Sequence, residues 1–395
     1  MMRTAIVGGG AAGFFLAVNL KEMLPQMDVT IFERSQHVLS KVRISGGGRC
    51  NCTNSFQQVT SLADVYPRGH RLLRNLFHQF DHDDAFRWFE EHGVPLVVQD
   101  DCCVFPQSQD SASIVDCLMG EARRHGVKVQ TNRAISSLSD LSAYDFVAVT
   151  TGGSPSGRGL QWLQSAGVEV VAPVPSLFSF SVDDADLHNL MGTVVEASVM
   201  IPSTKFHASG PLLVTHWGFS GPAILRLSSH AARLLHEQGY RLPLSVNWTD
   251  ATPEQTREEL RLIAHGHPHK MIASQCPFGL SSRLWAYLLL RAGVSAQTQW
   301  GQLSVKGQNR IVNTLTNDAY AISGRAPFKD EFVTCGGVAL SCVNASTLEC
   351  RQHPNLYFAG EVLDIDGVTG GFNFQAAWTT AYAVASAIAR KASQG

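Results

Sequence analysis

The sequence predicts an α/β protein, and three short apolar segments carry that prediction. Residues 5–7 run into a glycine cluster, and an alanine-rich apolar segment follows, which is typical of a strand, a tight turn and a helix. Residues 29–32 form a second strand after that helix, and residues 145–150 form a buried strand that also ends in glycines. Strands that alternate with helices in this way indicate an α/β domain.

The first turn has the glycine spacing of a dinucleotide-binding motif. Gly8 permits the tight turn, Gly10 lets a pyrophosphate approach the backbone, and Gly13 lets the helix pack against the strand. The N-terminus of the helix, including Ala12, would present N–H groups and the positive end of its dipole to the phosphates.

An acidic side chain ends the second strand. Glu33 lies 20 residues after Gly13, the separation expected of the acid that binds the ribose hydroxyls, and Arg34 is predicted to contact the cofactor beside it. An acid at this place disfavours a 2′-phosphate, so FAD or NAD fits better than NADP. The alternative is an ordinary βαβ unit with a charged strand end.

Residues 41–54 contain a second glycine cluster, flanked by serine, arginine and asparagine. Such a backbone can lie against a flat or anionic ligand, and it follows the ribose acid, where the chain passes the cofactor. The alternative is a flexible surface loop. The predicted cofactor contacts in this segment are Lys41, Ser45, Gly47, Arg49, Cys50 and Asn51.

Cys50 and Cys52 are separated by one residue, so a disulfide between them would close a small, strained ring. Two interpretations stay open, a thiol beside the cofactor or a buried and unreactive pair. The other cysteines have no metal-binding spacing, and no metal is expected.

The C-terminal part supplies a third distinctive stretch. An apolar strand, residues 355–359, ends at Gly360 and Glu361, and a glycine-rich segment then leads into an alanine-rich helix predicted from about residue 375 to residue 390. The predicted cofactor contacts here are Gly360, Glu361, Gly371, Asn373 and Phe374.

The first glycine motif, residues 45–54 and residues 356–378 together resemble a bacterial flavoprotein family that includes BaiN, YhiN-like proteins and aminoacetone oxidase, within the glutathione-reductase-type FAD superfamily. The resemblance covers nearly the whole chain. It implies FAD in a Rossmann-type domain, with an inserted β-barrel and a helical cap. It also implies that the backbone near Ala134 meets the adenine, that Thr151 and Gly152 lie beneath the adenosine, and that the last helix points at the flavin pyrimidine ring. Glu361 stands where the wider superfamily has aspartate.

The domain boundaries follow from this resemblance and from changes in the pattern of apolar and polar residues along the sequence. They are an FAD-binding domain at 1–185 and 335–395, a β-barrel at 186–250 and 317–334, and a helical cap at 251–316. The insert brings His207 and His216, whose imidazoles could exchange a proton with a substrate. The alternative for each of them is a structural histidine.

The bulk composition excludes several classes of protein. The net charge is −2 with no long basic run, so no nucleic-acid partner is expected. Apolar runs are too short to span a membrane, and the first strand leaves no room for a signal peptide. The nine cysteines are irregularly spaced, unlike the disulfide framework of a secreted protein. A cytoplasmic location is therefore expected. The oligomeric state is not indicated.

The expected function is FAD-dependent oxidation or reduction of a small organic molecule by hydride transfer at flavin N5. No histidine or cysteine lies in a recognised flavinylation motif, so FAD is expected to be non-covalent. A second nucleotide fingerprint is missing from the sequence, so NAD(P)H would visit only as a transient electron donor. The alternatives are NAD(P)H-driven reduction of an activated C=C bond of the fumarate or steroid type, and a flavin-binding regulatory or nucleic-acid-linked factor.

Overall fold

The structure is a computed structural model that describes residues 2–326 and 333–394. These residues divide into two units. The first contains residues 2–175 and 333–394, so both ends of the chain contribute to it, and the second contains residues 176–326.

The first unit begins as a series of alternating strands and helices. Its strands up to residue 176 are β1 (Arg3–Val7), β2 (Asp28–Phe32), β3 (Thr53–Asn54), β4 (Leu96–Val98), β5 (Cys103–Pro106), β6 (Lys128–Gln130), β7 (Phe146–Val149) and β8 (Val170–Ser176). Its helices in the same range are α1 (Ala11–Met23), α2 (Ser40–Gly48), α3 (Leu62–Val65), α4 (His70–Leu76), α5 (His82–Glu91), α6 (Ala112–Arg124) and α7 (Gln161–Ser165).

The second unit alternates between strands of one barrel and the helices that follow them. The strands are β9 (Phe180–Val182), β10 (Val194–Met200), β11 (His207–Thr215), β12 (Gly218–Ser220), β13 (Pro243–Asn247) and β14 (Asp318–Arg325). The helices are α8 (Ala185–His188), α9 (Pro222–His230), α10 (Ala232–Glu237), α11 (Pro253–Gly266), α12 (Ser282–Arg291) and α13 (Val305–Thr316).

The chain then returns to the first unit. The returning elements are β15 (Val333–Val338), β16 (Leu356–Phe358) and α14 (Phe372–Gln394). Short 3-10 helices occur at Leu138–Leu141, Arg158–Leu160, Ile272–Ser274, Pro277–Gly279, Trp300–Gln302, Leu340–Cys342 and Gly360–Val362.

A five-stranded parallel sheet, in the order β16-β7-β1-β2-β6, is the centre of the first unit. Four of the five β1 residues are buried, as expected for a central strand of a parallel sheet. Helix α1 packs against α14, so the first and last helices of the chain share one core. Because the strands are parallel, the loops after β1, β2, β7 and β16 meet at one edge of the sheet, where α/β proteins bind ligands.

Two smaller sheets complete the first unit. Strands β3, β5 and β4 form an antiparallel sheet in that order, which holds residues 51–54 against residues 103–104. Strands β8 and β15 pair as a two-stranded sheet beside the C-terminal segment.

The second unit is a closed barrel with helices packed on it. Its strand order is β10-β11-β12-β9-β14-β13, and the paired neighbours run antiparallel. The rings of Phe219, Trp248 and Tyr320 meet edge to face in its core. Helices α11, α12 and α13 begin directly after Thr252, Ser281 and Ser304, whose hydroxyls accept hydrogen bonds from the first turn.

The predicted fold class, an α/β Rossmann-type domain with an inserted β-barrel and a helical cap, is confirmed. The boundaries differ in detail. Strand β9 belongs to the barrel although it falls inside residues 1–185, and residues 333–334 begin β15, which pairs with β8. Of the predicted barrel return, residues 327–332 lie outside the described residues. Within the described ranges, the helices are too short or too polar to cross a lipid bilayer.

Candidate cofactor-binding site

The glycines after β1 separate into two that pack and one that faces open space. A Cβ on Gly8, whose φ is +117°, would lie 2.4 Å from the Thr150 carbonyl oxygen, and a Cβ on Gly13 would lie 2.0 Å from the Gly8 oxygen. At Gly10, by contrast, no heavy atom of the described residues comes within 4 Å of the Cβ position. Gly8 and Gly13 therefore shape the turn, and Gly10 leaves a cradle for a ligand.

The N-terminus of α1 is suited to an anion. Within the described part of the chain, Gly10 caps α1 with no side-chain hydrogen bond, and the first turn carries no acidic residue. Its N–H groups and the positive end of its dipole remain available to a pyrophosphate. Ala12 is buried in this turn, where a Cβ on Gly360 would lie 2.9 Å from the Ala12 methyl carbon.

Glu33 orders the neighbouring loops with both of its carboxylate oxygens. Oε2 accepts the N–H of Gly9 at 2.9 Å, and Oε1 accepts the N–H and the hydroxyl of Ser35, each at 2.8 Å. The Glu33 carbonyl also accepts the N–H of Arg133 at 2.8 Å, which brings the segment containing the exposed Ala134 beside β2. Glu33 and Ala134 thus lie at one end of the cradle, and Arg34 is exposed next to them.

Residues 45–50 form the turn that ends α2. The helix leaves regular geometry at Ser45, Gly46 and Gly47, and no described heavy atom lies within 4 Å of a Cβ on Gly47. The Arg49 guanidinium lies over the Phe105 ring, 4.3 Å from its centre, and its Nε donates to the Gly46 carbonyl at 3.2 Å. These contacts hold the segment in a compact turn.

Cys50 and Cys52 are fully buried thiols that form no disulfide. Burial raises the pKa of Cys50 to about 12, and a hydrogen bond with Ser45 lowers it by a smaller amount. Burial, together with the nearby Cys50, also raises the pKa of Cys52 well above its usual range. These environments suit the unreactive interpretation of the pair, because the thiolate is the nucleophilic form.

The segment after Cys50 is bonded directly to the start of α14. In the amide orientation that satisfies both of its polar groups, Asn51 donates to the Thr53 and Val104 carbonyls at 2.9 and 3.2 Å and accepts the N–H of Gly371 at 3.2 Å. Trp378 donates its indole N–H to the Cys52 carbonyl at 2.8 Å. The predicted residues Asn51 and Gly371, far apart in the sequence, are therefore brought together.

Glycine is required where these segments cross. Gly371 has a φ of +88°, and a Cβ there would lie 2.1 Å from the Thr53 carbonyl oxygen. Asn54 donates to the Gly370 carbonyl at 3.0 Å, so both glycines are fixed by β3. The N-terminus of α14 is placed by these contacts and, unlike the prediction, begins at Phe372.

The other predicted C-terminal contacts support the loop itself. The Asn373 side-chain amide forms two hydrogen bonds with the Gly367 backbone: it donates to the carbonyl and accepts from the N–H, both at 2.8 Å. Phe374 stacks on Trp378, with ring centres 5.7 Å apart. These two side chains hold the α14 entrance, which leaves backbone groups to face a cofactor.

Glu361 joins three segments of the first unit. Its Oε2 lies 2.7 Å from Lys41 Nζ, and its Oε1 accepts the N–H of Thr334 at 2.9 Å. A Cβ on Gly153 would lie 2.7 Å from Oε1, and one on Gly152 would lie 3.7 Å from Oε2, so the turn after β7 closes against the same carboxylate. Thr151 is exposed in that turn.

The two candidate catalytic histidines are not brought together. His207 begins β11 and His216 follows its end, and a nine-residue strand spans about 30 Å. Both side chains are exposed; His207 Nδ1 lies 3.1 Å from the Lys205 carbonyl oxygen, and the His216 ring packs on Trp217. They cannot act together on one small substrate.

Sequence reasoning missed a buried ion pair near the start of α14. The Arg68 guanidinium donates two hydrogen bonds to the Asp366 carboxylate, which is fully buried. Beside this pair, the Tyr66 hydroxyl donates to the Phe372 carbonyl at 2.8 Å. Burial tends to lower the pKa of Arg68, but Asp366 more than offsets this, so the pKa is raised. The two partners are 298 positions apart, and the sequence carries no signal that pairs them.

FAD fits this site, which combines the open backbone at Gly10, the uncapped N-terminus of α1, Glu33 and the anchored start of α14. The site and the fold define a Rossmann-type FAD-dependent oxidoreductase. FAD supplies hydride transfer when it is bound. The sequence pattern of the HI0933-like protein Rossmann domain matches residues 2–387, and the chain belongs to this family. The resemblance predicted from the sequence is thereby confirmed.

Relatives of known name align over almost the whole chain. It is 26% identical to the 3-dehydro-bile acid delta(4,6)-reductase of Clostridium scindens, over 99% of this chain and 100% of that protein. It is 29% identical to the ribosomal RNA dihydrouridine synthase of Escherichia coli, over 96% of each. The structure of 3-ketosteroid delta1-dehydrogenase from Sterolibacterium denitrificans aligns with 99% of this chain and 100% of that one, at 10% identity and a TM-score of 0.48.

Proposed function

We propose that this oxidoreductase reduces a carbon–carbon double bond conjugated to a carbonyl group. The observation that carries the proposal is the chemistry shared by the two named relatives. One is named for reduction of the 4,6-diene beside the 3-oxo group of a bile acid, and the other for formation of dihydrouridine. In the uracil ring, the bond that becomes saturated is likewise conjugated to a carbonyl. The two substrates differ greatly in size, so the reacting group is what they have in common.

The residues of the first unit hold the cofactor for this reaction. The open backbone at Gly10 and the N-terminus of α1 receive the pyrophosphate, and Glu33 receives the adenosine ribose. The N-terminus of α14, fixed by Asn51 and Asn54, faces the flavin pyrimidine ring and stabilises the negative charge that accompanies reduction.

The overall reaction needs two electrons and two protons for each double bond. We propose NAD(P)H as the transient donor, which becomes NAD(P)+ as a hydride is delivered to the β-carbon and a proton to the α-carbon. The cytoplasm, where NAD(P)H is available, is the proposed location. His216 or His207 supplies the proton, and their separation along β11 means that only one of them serves a given substrate.

A specific observation also favours a second candidate substrate, uridine within RNA. Residues 260–317 contain no aspartate or glutamate, although they contain Arg261, Lys270, Arg283, Arg291, Lys306 and Arg310. A cavity of about 580 Å³ on α12 and α13 is lined by Arg291, Lys306 and Arg310 together with asparagines. Arg291 is partly neutralised by Asp318 at 2.7 Å, which leaves Lys306 and Arg310 as the cationic groups that would meet phosphates.

Anaerobic stopped-flow absorbance tests the proposed reaction. The FAD-loaded protein should be bleached by NADH or NADPH and should regain its yellow colour on mixing with a 3-oxo-4,6-diene steroid or a uridine-containing RNA transcript. A protein bleached by an amine substrate, and reoxidised only by oxygen, would instead be an oxidase. His216→Gln and His207→Gln should be assayed separately. The variant that lacks the proton donor should be bleached at the normal rate but should be reoxidised by the substrate more slowly, and the other variant should behave like the wild type.

Filter binding distinguishes the two substrate candidates. RNA bound through the α12–α13 cavity should dissociate as salt rises, and Lys306→Ala with Arg310→Ala should weaken it. Arg257→Ala, on the neighbouring α11, is the matched control. Unchanged RNA binding by the variants would exclude this cavity as the binding surface, and absence of RNA binding by the wild type would leave the small conjugated ketone as the substrate.

A further inference from the structure

Four ionisable side chains meet on the first unit where α1, α5 and α6 end. Glu22 is the last but one residue of α1, and His92 directly follows α5. Glu121 lies in the last turn of α6, and His125 directly follows that helix. Ligand atoms of Glu22, Glu121 and His125 all lie within 4.8 Å of one another. None of these residues contributes to the cofactor cradle described above.

The individual distances are close to those of a shared metal ion. His125 Nε2 lies 3.7 Å from Glu121 Oε2 and 3.8 Å from Glu22 Oε1. Two ligand atoms bound to one Zn²⁺ at about 2.0–2.1 Å lie roughly 3–3.5 Å apart. The two distances from His125 exceed this separation by only a few tenths of an ångström, and rotation of the two carboxylates would complete the approach of all three atoms to one ion.

His125 supplies an independent observation that points to a missing ligand. Its Nε2 atom is buried, and among residues 2–326 and 333–394 it has no hydrogen-bond partner. A buried polar nitrogen without a partner is costly, because it loses its bonds to water without replacement. A metal ion between His125 and the two carboxylates would satisfy it.

His92 is oriented as metal-binding histidines usually are. Its Nδ1 lies 2.6 Å from the Trp88 carbonyl oxygen, and its Nε2 lies 2.9 Å from Glu22 Oε1. A backbone carbonyl on one ring nitrogen fixes the ring and turns the other nitrogen toward the ion. The Trp88 ring also stacks on the imidazole, with centres 3.9 Å apart, which prevents rotation.

One positive group competes with an ion at this place. Arg124 lies 2.5 Å from Glu121 Oε2, but its own side chain is largely exposed. It can move into water when a divalent cation takes the carboxylate, because only the Glu121 end of this pair is largely buried.

We propose that Glu22, Glu121 and His125 bind a divalent transition-metal ion, and that His92, whose Nε2 lies 2.9 Å from Glu22 Oε1, moves onto the same ion as the fourth ligand. Two imidazoles and two carboxylates match Zn²⁺ in particular. The ion would clip together the C-terminal ends of α1, α5 and α6, so its role is to stabilise the unit whose α1 begins at the cofactor cradle.

Isothermal titration of the untagged, chelator-treated FAD-bound protein with ZnCl₂ tests this site. We expect saturation at one ion per chain, with affinity at least tenfold lower in His125→Ala and in the nearly isosteric Glu121→Gln. His265→Ala and Glu258→Gln on α11 are matched controls, since Glu258 pairs with Arg261 as Glu121 pairs with Arg124, and both should bind like the wild type. Flavin content should be equal in all five proteins.

Cobalt(II) gives a second readout, because its visible spectrum reports which ligand atoms it binds. Co²⁺ bound by nitrogen and oxygen should show weak visible bands, and these should be absent in both variants. No saturable Zn²⁺ binding by the wild type, full affinity in His125→Ala, or an intense sulfur-to-cobalt band indicating cysteine ligands would each overturn the proposal.

Discussion

Lys41 Nζ lies 2.7 Å from Glu361 Oε2, and this contact joins two segments that are 320 positions apart in the chain. The other oxygen of Glu361 accepts the N–H of Thr334, so a single carboxylate ties α2 to the start of β15 and to the segment after β16. The Lys41 side chain is 55% exposed, and pairs of that kind add little stability. The value of the pair therefore lies in holding the cradle in shape.

Replacing Lys41 with alanine should weaken FAD binding without unfolding the protein. The free energy of unfolding should fall by no more than about 1 kcal/mol, the usual limit for an exposed ion pair. Lys128→Ala is the matched control, since Lys128 pairs with Asp28 at 2.8 Å with a similar exposure of 61%. Fluorescence titration with FAD and urea unfolding measure the two quantities. Equal FAD affinity in both variants would show that the Lys41 contact does not shape the site.

Glu33→Ala should reduce FAD affinity by about ten- to a hundredfold, because hydrogen bonds to charged groups are worth roughly 1.5–3 kcal/mol. The variant also releases the N–H of Gly9 and the Ser35 contacts, so the turn itself loosens. Glu90→Gln, an exposed acid on α5, serves as the control. An unchanged dissociation constant for FAD would place the ribose elsewhere.

Alanine at Gly13 should reduce stability, whereas alanine at Gly10 should reduce FAD affinity. The Gly13 methyl would collide with the Gly8 oxygen at 2.0 Å, so the FAD-free protein should lose about 1–3 kcal/mol of stability. The Gly10 methyl meets open space, so that variant should unfold like the wild type but bind FAD more weakly. Thermal unfolding followed by circular dichroism, together with FAD titration, separates the two effects. Normal FAD binding by Gly10→Ala would move the pyrophosphate away from this turn.

Cys50 and Cys52 should behave as buried, protonated thiols. Iodoacetamide at pH 8 should leave both unmodified until the protein is unfolded, and a double serine variant should keep its flavin and remain reducible. Loss of turnover with flavin intact, accompanied by a redox-dependent thiol count, would instead indicate a catalytic pair.

Cys50 also has a consequence for alkaline stability. Burial raises its pKa from 9.0 to about 12, so the unfolded chain loses this proton first as the pH rises. The stability that the neutral thiol contributes is therefore complete below about pH 9 and is lost toward pH 12, at roughly 1.4 kcal/mol per pH unit. Urea unfolding at several pH values should show a shallower decline in Cys50→Ala than in the wild type. Parallel slopes would contradict the raised pKa.

Sequence reasoning reached the parts of the site that depend on local geometry. The spacing of Gly8, Gly10 and Gly13 and the position of Glu33 are set within one βαβ unit, and the structure places all four at one edge of the sheet. The helical cap of the second unit could be predicted because the family resemblance implies it and the sequence changes in character there.

Other contacts could not be read from the sequence, because they join distant segments. Nothing in the residues around Asn51 indicates that its amide meets Gly371, and nothing pairs Arg68 with Asp366. Strand β9 is three residues long, too short for an alternating pattern, so the barrel was predicted to start later than it does. The proposed metal ligands come from the ends of three helices, so no local spacing in the sequence brings them together.

The order of strands in the central sheet has a consequence for biosynthesis. Strand β16 lies at an edge next to β7, and α14 provides the surface on which α1 packs, yet both leave the ribosome after every other element of the first unit. Until they emerge, the nascent chain exposes the apolar face of α1 and lacks Gly371, Glu361 and the last helix. Flavin capture must therefore wait until α14 has been made, and until then the growing polypeptide carries exposed apolar surface that favours aggregation.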